Sequence, residues 1–156
     1  MREYHIYKIR EDVALDYYGM ETKLFQLFQE NREAKGRLKE ATEKQIQYII
    51  QQINKLEVQN HLNKYLNETE GYIIRDNKHY IMSPKRGSQA GLAIYKMHIK
   101  LFSEGSQDSE ACFFEALRNY DGTFIAMDFS REQYGWLKPL KSMEIAELSE
   151  SNKAFK

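Results

Sequence analysis

The sequence predicts a single α+β domain, an α/β protein whose mixed, mostly antiparallel sheet of about five strands is packed with helices. The 156-residue chain is long enough to bury one core without metals or disulfides, and 42% of its residues are hydrophobic. Apolar residues recur with the period of a helix in the first half of the chain and with that of a strand in much of the second. Residues 1–140 are expected to form the domain, and residues 141–156 a polar C-terminal tail.

The chain is expected to begin with a strand and a broken helix. Tyr4 to Ile9 is short and rich in tyrosine and isoleucine, which predicts a first strand. Glu11 to Arg32 has helical spacing and an acidic first turn. Gly19 interrupts it and predicts a break, because glycine costs about 1 kcal/mol against alanine inside a helix. Asn31 to Glu40 predicts a charged connection in which Gly36 ends the helix.

The longest helix is predicted from Thr42 to Leu66. Thr42 and Gln45 have the spacing of a capping box, in which the two side chains satisfy free backbone N–H groups at a helix start. A weaker patch at Glu57 to Asn60 marks a place where this helix could break. Four isoleucines at helical spacing predict one stripe facing the core: Ile46, Ile49, Ile50 and Ile53.

A second stripe of the same helix is polar and aromatic. Gln45, Tyr48 and Gln52 lie on it, with Ile49 at its margin. Tyrosine offers contact area at low entropic cost, and its hydroxyl can stay hydrated until it is paired, so a partner could dock here. The alternative is an ordinary solvated helix face, which the pattern alone favours.

A hairpin and a long strand are predicted next. Tyr72 to Arg75 and His79 to Met82 flank a short polar turn. Lys85 to Ala90 predicts a polar loop, and the alternation over Leu92 to Phe102 predicts one long strand.

The last elements are a helix, a strand and a loop. Ser109 to Tyr120 has a helical apolar face and an N-cap among residues 106–108. Thr123 to Phe129 is apolar on both faces and predicts a central strand. The following segment predicts an ordered terminal loop anchored by Trp136.

Charge and composition narrow the class of protein. Basic and acidic residues number 23 each, so no net charge steers the chain toward nucleic acid or an anionic membrane. The first residues lack the apolar segment of a signal peptide, and no apolar run approaches the ~20 residues that span a bilayer. A cytoplasmic protein is therefore expected.

No catalytic or metal-binding pattern stands out. The four histidines fall on different predicted elements without a metal-ligand spacing, so neither a metal nor another cofactor is expected. Cys112 lies in an apolar run and is predicted to be a buried structural thiol. Pro84 to Gly87 lacks the glycine spacing of a phosphate-binding loop, and Asp128 at a strand end is predicted to cap the next turn. An interaction domain is favoured over an enzyme.

Two alternatives remain open, and neither has a motif to support it. A small ribonuclease or toxin-like enzyme would use His79, Lys85 and Arg86 on a curved sheet. A nucleic-acid-binding module would need an aromatic and basic sheet face, with candidates Tyr80, Tyr95 and Lys96.

Four segments resemble a known family: YGMETKLFQLFQ, TEKQIQYI, ACFFEALR and FIAMDFSREQYGWLKP. In this order and at nearly this spacing they are similar to the sporulation inhibitor of replication family, SirA, of Bacillus and its relatives. The likeness covers roughly Tyr4 to Pro139. It implies a non-enzymatic inhibitor that binds the N-terminal domain I of the replication initiator DnaA, without contacting nucleic acid directly, and blocks productive initiator assembly at the origin.

The resemblance also implies a contact surface on the first helix and on the long helix that begins at TEKQ. Carried over by matching position, that surface contains Val13, Tyr17, Gln45, Tyr48 and Ile49. Val13 stands where the family's known member has a larger phenylalanine, so it would fill less of a pocket. The spacings i, i+4 for Val13 and Tyr17 and i, i+3 for Gln45 and Tyr48 put each pair on one helix face.

Overall fold

The computed structural model describes residues 1–138, which form one seven-stranded antiparallel sheet with five α-helices and a short 3-10 helix. In chain order the elements are β1 Arg2–Lys8, α1 Glu11–Tyr17, α2 Glu21–Glu33, α3 Gly36–Ile49, α4 Lys55–Tyr65, β2 Tyr72–Arg75, β3 Lys78–Ser83, the 3-10 helix Pro84–Arg86, β4 Ser88–Ile94, β5 Ile99–Gly105, α5 Asp108–Tyr120, β6 Phe124–Asp128 and β7 Gln133–Trp136. The α+β class is confirmed, with seven strands instead of about five. The predicted polar tail, residues 141–156, lies outside the described residues.

The strands follow the order β2-β3-β4-β5-β1-β6-β7. The sequence pattern did not reveal the two strands beyond the predicted five. The single long strand predicted over Leu92 to Phe102 is wrong, because the chain reverses after Ile94 and pairs Ile94 with Ile99. Strand alternation continues through this turn, so periodicity does not reveal it. The predicted loop around Trp136 is also wrong: Trp136 ends β7 and pairs with Ile125. The predicted polar loop is shorter than expected, since β4 already begins at Ser88.

The long central helix is two helices, and its predicted start and break are both wrong. α3 begins at Gly36, six residues before Thr42, so Gly36 opens a helix instead of ending one. The Thr42 hydroxyl donates to the Leu38 carbonyl at 2.8 Å, the bond typical of a threonine inside a helix, so there is no capping box. The chain leaves the helix at Ile50, which is extended. The working N-cap is Asn54, whose side chain accepts from the Glu57 backbone N–H at 3.1 Å.

Several expectations from the sequence are confirmed. The helical region breaks at Gly19, whose φ of +84° favours glycine. The predicted hairpin joins β2 to β3 through Asp76 and Asn77, both left-handed as in a type I′ turn. The helix α5 is present, although its cap comes from another strand: the Ser109 backbone N–H donates to Ser88 Oγ at 2.9 Å.

The two faces of the sheet are covered unequally. One, here called the α5 face, packs against α4 and α5 along its length and includes Ile6, Leu92 and Leu101. The other, the α2 face, includes Ile125 and Met127 and is covered by α1, α2 and α3 over β1, β6 and β7. Over β2 to β5, no helix of the described part covers the α2 face. We call that region the open sheet face.

Candidate protein-binding surface

Backbone hydrogen bonds hold the start of α1 beside the end of α3. The Arg10 N–H donates to the Ile49 carbonyl at 2.9 Å, and the Gln51 N–H donates to the Lys8 carbonyl at 2.7 Å. Between these bonds, Ile9 and Ile50 form an isolated antiparallel bridge. These backbone bonds hold the start of α1 beside the end of α3, although the two helices are distant in sequence.

The five residues expected at the contact surface differ in exposure. Val13 and Ile49 are each only 8% exposed and lie in the same apolar cluster, against which the half-buried Tyr17 packs. Gln45 and Tyr48 are exposed, and 64% of Tyr48 is accessible. The structure thus brings Val13, Tyr17 and Ile49 together beneath the surface and leaves Gln45 and Tyr48 at the surface.

The helical period explains which α3 residues are exposed. Ile46 and Ile49 face the core, and the residues immediately before them are turned by about 100° toward solvent. Those residues are Gln45 and Tyr48, so the second stripe predicted from the sequence is an exposed face. Gln45 does not have the capping role predicted for it, so its side-chain amide remains available to other partners.

The polar groups of this surface have unused hydrogen-bonding capacity. Within residues 1–138, the Tyr17 and Tyr48 hydroxyls and the Gln45 side-chain amide make no hydrogen bond. Tyr18, by contrast, is anchored: its hydroxyl donates to the Gly122 carbonyl at 3.3 Å and its ring centroid lies 4.8 Å from that of Trp136. The end of α1 is therefore fixed while the groups a partner would contact stay unpaired.

Arg10 belongs to the same surface, and the sequence reasoning missed it. Its guanidinium carbon lies 4.9 Å from the centroid of the Tyr48 ring, within the range of a cation–π interaction. One of its terminal nitrogens lies 3.4 Å from the Asp12 carboxylate. Arg10 precedes α1 and falls on no apolar stripe, so periodicity does not mark it. The signal available was an arginine directly before the acidic pair Glu11 and Asp12.

A groove of about 670 Å³ adjoins Arg10 and lies between α1 and the α3–α4 connection. Its lining includes the acidic Glu11 and Asp12, the apolar Leu15 and the amide side chains of Gln51 and Gln52. The surface therefore combines acidic, amide and apolar groups, which suits contact with another protein.

The residues proposed for an enzyme do not form an accessible site. His79 is 1% exposed, and its Nδ1 lies 2.7 Å from the Tyr72 hydroxyl. Burial also lowers the pKa of His79 below its ordinary value, which keeps the imidazole neutral. Lys85 and Arg86 are exposed on the 3-10 helix. An imidazole that is buried and already bonded is not placed to exchange a proton with a substrate.

Cys112 is disfavoured as a nucleophile, and one oxygen of Asp128 has a local structural role. Cys112 is half-buried, not fully buried as predicted, and burial raises the pKa of its thiol, which disfavours the nucleophilic thiolate. Asp128 caps the following turn as predicted, since its Oδ1 accepts from the Arg131 backbone N–H at 3.1 Å. Residues 1–138 contain no group of three or more metal-ligating side chains. None of the helices described is both long and apolar enough to cross a membrane.

Comparison with known proteins identifies the family. The sequence model of the family described as sporulation inhibitor of replication protein SirA matches residues 2–141. A protein of Bacillus subtilis (strain 168), named sporulation inhibitor of replication protein SirA, is 38% identical over 142 residues, which cover 90% of this chain and 95% of that relative. The chain therefore belongs to the SirA family.

Proposed function

We propose that this protein inhibits the initiation of DNA replication during sporulation, and that it does so as a cytoplasmic, non-enzymatic binder of domain I of the initiator DnaA. Family membership, with a relative named as a sporulation inhibitor of replication, is the observation that carries the inhibitory role. By occupying domain I, the protein would prevent the initiator from assembling productively at the origin.

The proposed contact surface is built from α1 and α3. Gln45 and Tyr48 are its exposed groups, and Tyr17 is a half-buried anchor between surface and core. Val13 and Ile49 form the apolar floor beneath them. A stable interface buries about 800 Å² on each partner, and a few central residues, often tyrosines, carry most of the binding free energy.

Calorimetric titration of the whole protein against isolated DnaA domain I from the same organism tests this proposal. Tyr48→Ala and Gln45→Ala should each weaken binding by more than about 1 kcal/mol, because each removes an exposed side chain whose polar group makes no hydrogen bond within residues 1–138. Tyr17→Ala should weaken binding as well, with some loss of stability because Tyr17 packs on the core. The titration should give a stoichiometry of one DnaA domain I per molecule of this protein.

The matched control is Tyr65→Ala, because Tyr65 is another exposed tyrosine but lies on α4, away from the proposed surface. This variant should bind like the wild type. The free energy of unfolding of Tyr48→Ala should also lie within about 0.5 kcal/mol of the wild-type value, as expected for an exposed side chain. Absence of binding heat at two temperatures would reject DnaA domain I as the partner. Equal loss in Tyr65→Ala and Tyr48→Ala would reject the surface.

A further inference from the structure

The open sheet face carries a row of aromatic and small residues that runs across four strands. Strand register aligns Ile73 with Tyr80, Tyr80 with Gly91, and Gly91 with Phe102. Residues paired in this way point to the same side of a sheet. Tyr80 and Phe102 thus lie two strands apart, about 10 Å, with only a glycine between them.

Gly91 lets the Tyr80 ring lie against the sheet. A Cβ at position 91 would be 3.0 Å from Cε1 and 3.1 Å from Cδ1 of Tyr80, closer than ordinary contact. The Tyr80 ring therefore covers the backbone of Gly91, and part of the ring stays accessible. A groove of about 510 Å³ lies over this row, and Met82 beside it is 48% exposed.

A row of cations runs beside the aromatic row. Arg75 pairs with Lys78, and Ala93 pairs with Lys100. Because His79 pairs with Leu92 on the two strands between them, Lys78 and Ala93 are next to each other, and the two pairs form one row across the sheet. The two rows are separated by two residues along each strand, about 7 Å.

The three cations of this row have no carboxylate partner in the described part of the chain. Arg75, Lys78 and Lys100 form no ion pair within residues 1–138. Two carboxylates share this face but lie outside the row of cations: Glu3 is in register with Phe102, and Glu104 with Gln89, whose amide donates to it at 2.7 Å. The open sheet face therefore combines two partly exposed aromatic rings with a row of cations that has no ion pair in residues 1–138.

We propose that the open sheet face binds a single-stranded nucleic acid, with bases stacked on Tyr80 and Phe102 and phosphates held by Arg75, Lys78 and Lys100. Unpaired bases stack on aromatic side chains whatever their sequence, and a parallel line of cations neutralises the phosphates. A duplex does not fit this arrangement, because its bases are already stacked on one another. An acidic peptide would use the cations but not the regular spacing of the two rings.

This function is separate from binding to DnaA. The open sheet face lies over β2 to β5, and the proposed protein-binding surface is on α1 and α3. Because the total charge of the protein is zero, the attraction is local, and binding depends on the face itself.

Fluorescence anisotropy of labelled oligothymidylate and oligouridylate of about 12 nucleotides, titrated with the whole protein, tests the proposal. Three phosphate contacts predict that the affinity falls by roughly 15–20-fold between about 50 and 200 mM salt. The two oligonucleotides distinguish DNA from RNA as the ligand. An unlabelled duplex should compete poorly.

Conservative variants separate stacking from folding. Tyr80→Leu and Phe102→Leu keep apolar bulk but remove the ring, so each should weaken binding by at least about fivefold. Lys100→Ala should lower the slope of log affinity against log salt by about 0.7. Two control variants should change neither the affinity nor its salt dependence. They are Lys64→Ala, which removes an exposed lysine on α4, and Tyr48→Ala. Thermal unfolding of each variant confirms that it folds.

Three results would overturn the proposal. One is no anisotropy change with either oligonucleotide at the lower salt concentration. Another is binding that Tyr80→Leu and Phe102→Leu leave unchanged. The third is binding of a labelled peptide of alternating glutamate and phenylalanine in place of both oligonucleotides, which would assign the face to an acidic protein. Tyr48→Ala should bind DnaA domain I more weakly and the oligonucleotide as well as the wild type does. Either proposed function can therefore fail without the other.

Discussion

The α2 face of the sheet has a covered half and an open half, and strands β6 and β5 show why they differ. In β6 every residue is buried, and apolar side chains occupy both sides of the strand: Phe124, Ile125, Ala126 and Met127. In β5 only alternate positions are buried, and the other side carries Lys100, Phe102 and Glu104. A strand that is apolar on both sides needs cover on both, whereas an alternating strand leaves one side for solvent or a ligand. Phe102 is thus an aromatic residue on a part of the sheet that no helix within residues 1–138 covers.

The largest expected effect comes from removing one aromatic ring in each half. Phe28 lies on α2 and is 3% exposed, and its ring centroid is 4.4 Å from that of Tyr7 on β1. Phe28→Ala should lower the free energy of unfolding by about 3–5 kcal/mol through lost burial and a cavity. Phe102→Ala should lower it by about 1 kcal/mol, because Phe102 is half-buried. Urea denaturation measures both, and equal losses would show that the open half is covered in solution.

A smaller effect is the pH dependence of stability contributed by His79, which lies on the α5 face of the sheet. Burial lowers the pKa of His79 below its ordinary value of 6.5, whereas the unfolded chain takes up a proton near that value. The unfolded state therefore binds more protons as the pH falls, so the stability contributed by a neutral His79 is present above about pH 6.5 and is lost below it. One such histidine contributes at most about 1.4 kcal/mol per pH unit.

Urea denaturation of the wild type and His79→Gln between about pH 7.5 and 5 checks this prediction. The variant cannot take up the proton, so its stability should fall less steeply with acid. The buried His5 and the half-buried His98, whose pKa values burial also lowers, remain in both proteins and provide the common background. Identical slopes would mean that His79 is protonated equally in both states.

The smallest expected effect is on the open half itself. The Gln89 amide donates to the Glu104 carboxylate at 2.7 Å between two exposed side chains. Gln89→Ala should change the free energy of unfolding by no more than about 0.5 kcal/mol, because water replaces the lost hydrogen bond. A loss above about 2 kcal/mol in thermal or urea unfolding would mean that this pair is shielded from solvent.

Local patterns predicted the elements whose boundaries are marked by glycine or by turn residues. Gly19 marks the break between α1 and α2, and Asp76 with Asn77 marks the first hairpin. The missed boundaries carry no such mark: one depends on a contact between distant residues, and the other is a turn without turn-forming residues. Ile50 ends α3 by pairing with Ile9, although the isoleucine spacing there fits a continuing helix. The reversal after β4 contains neither glycine nor proline, and its Tyr95 and His98 rings stack with centroids 4.9 Å apart.

The candidate surface was predictable to a similar extent. The exposed stripe of Gln45 and Tyr48 follows from helical periodicity and from the buried isoleucines beside it. The burial of Val13 depends on how α1 packs on the rest of the domain, and the position of Arg10 over Tyr48 depends on the pairing of residues 8–10 with residues 49–51. Neither relation lies within a single stretch of sequence.

The bonds that join residues 8–10 to residues 49–51 also determine how this protein can evolve. They use backbone groups only, so exposed side chains on α1 and α3 can be exchanged without breaking them. Proline at position 10 or 51 is the exception, because it would remove a donating N–H. The exposed residues of this surface can thus change one at a time on a framework that does not have to be rebuilt.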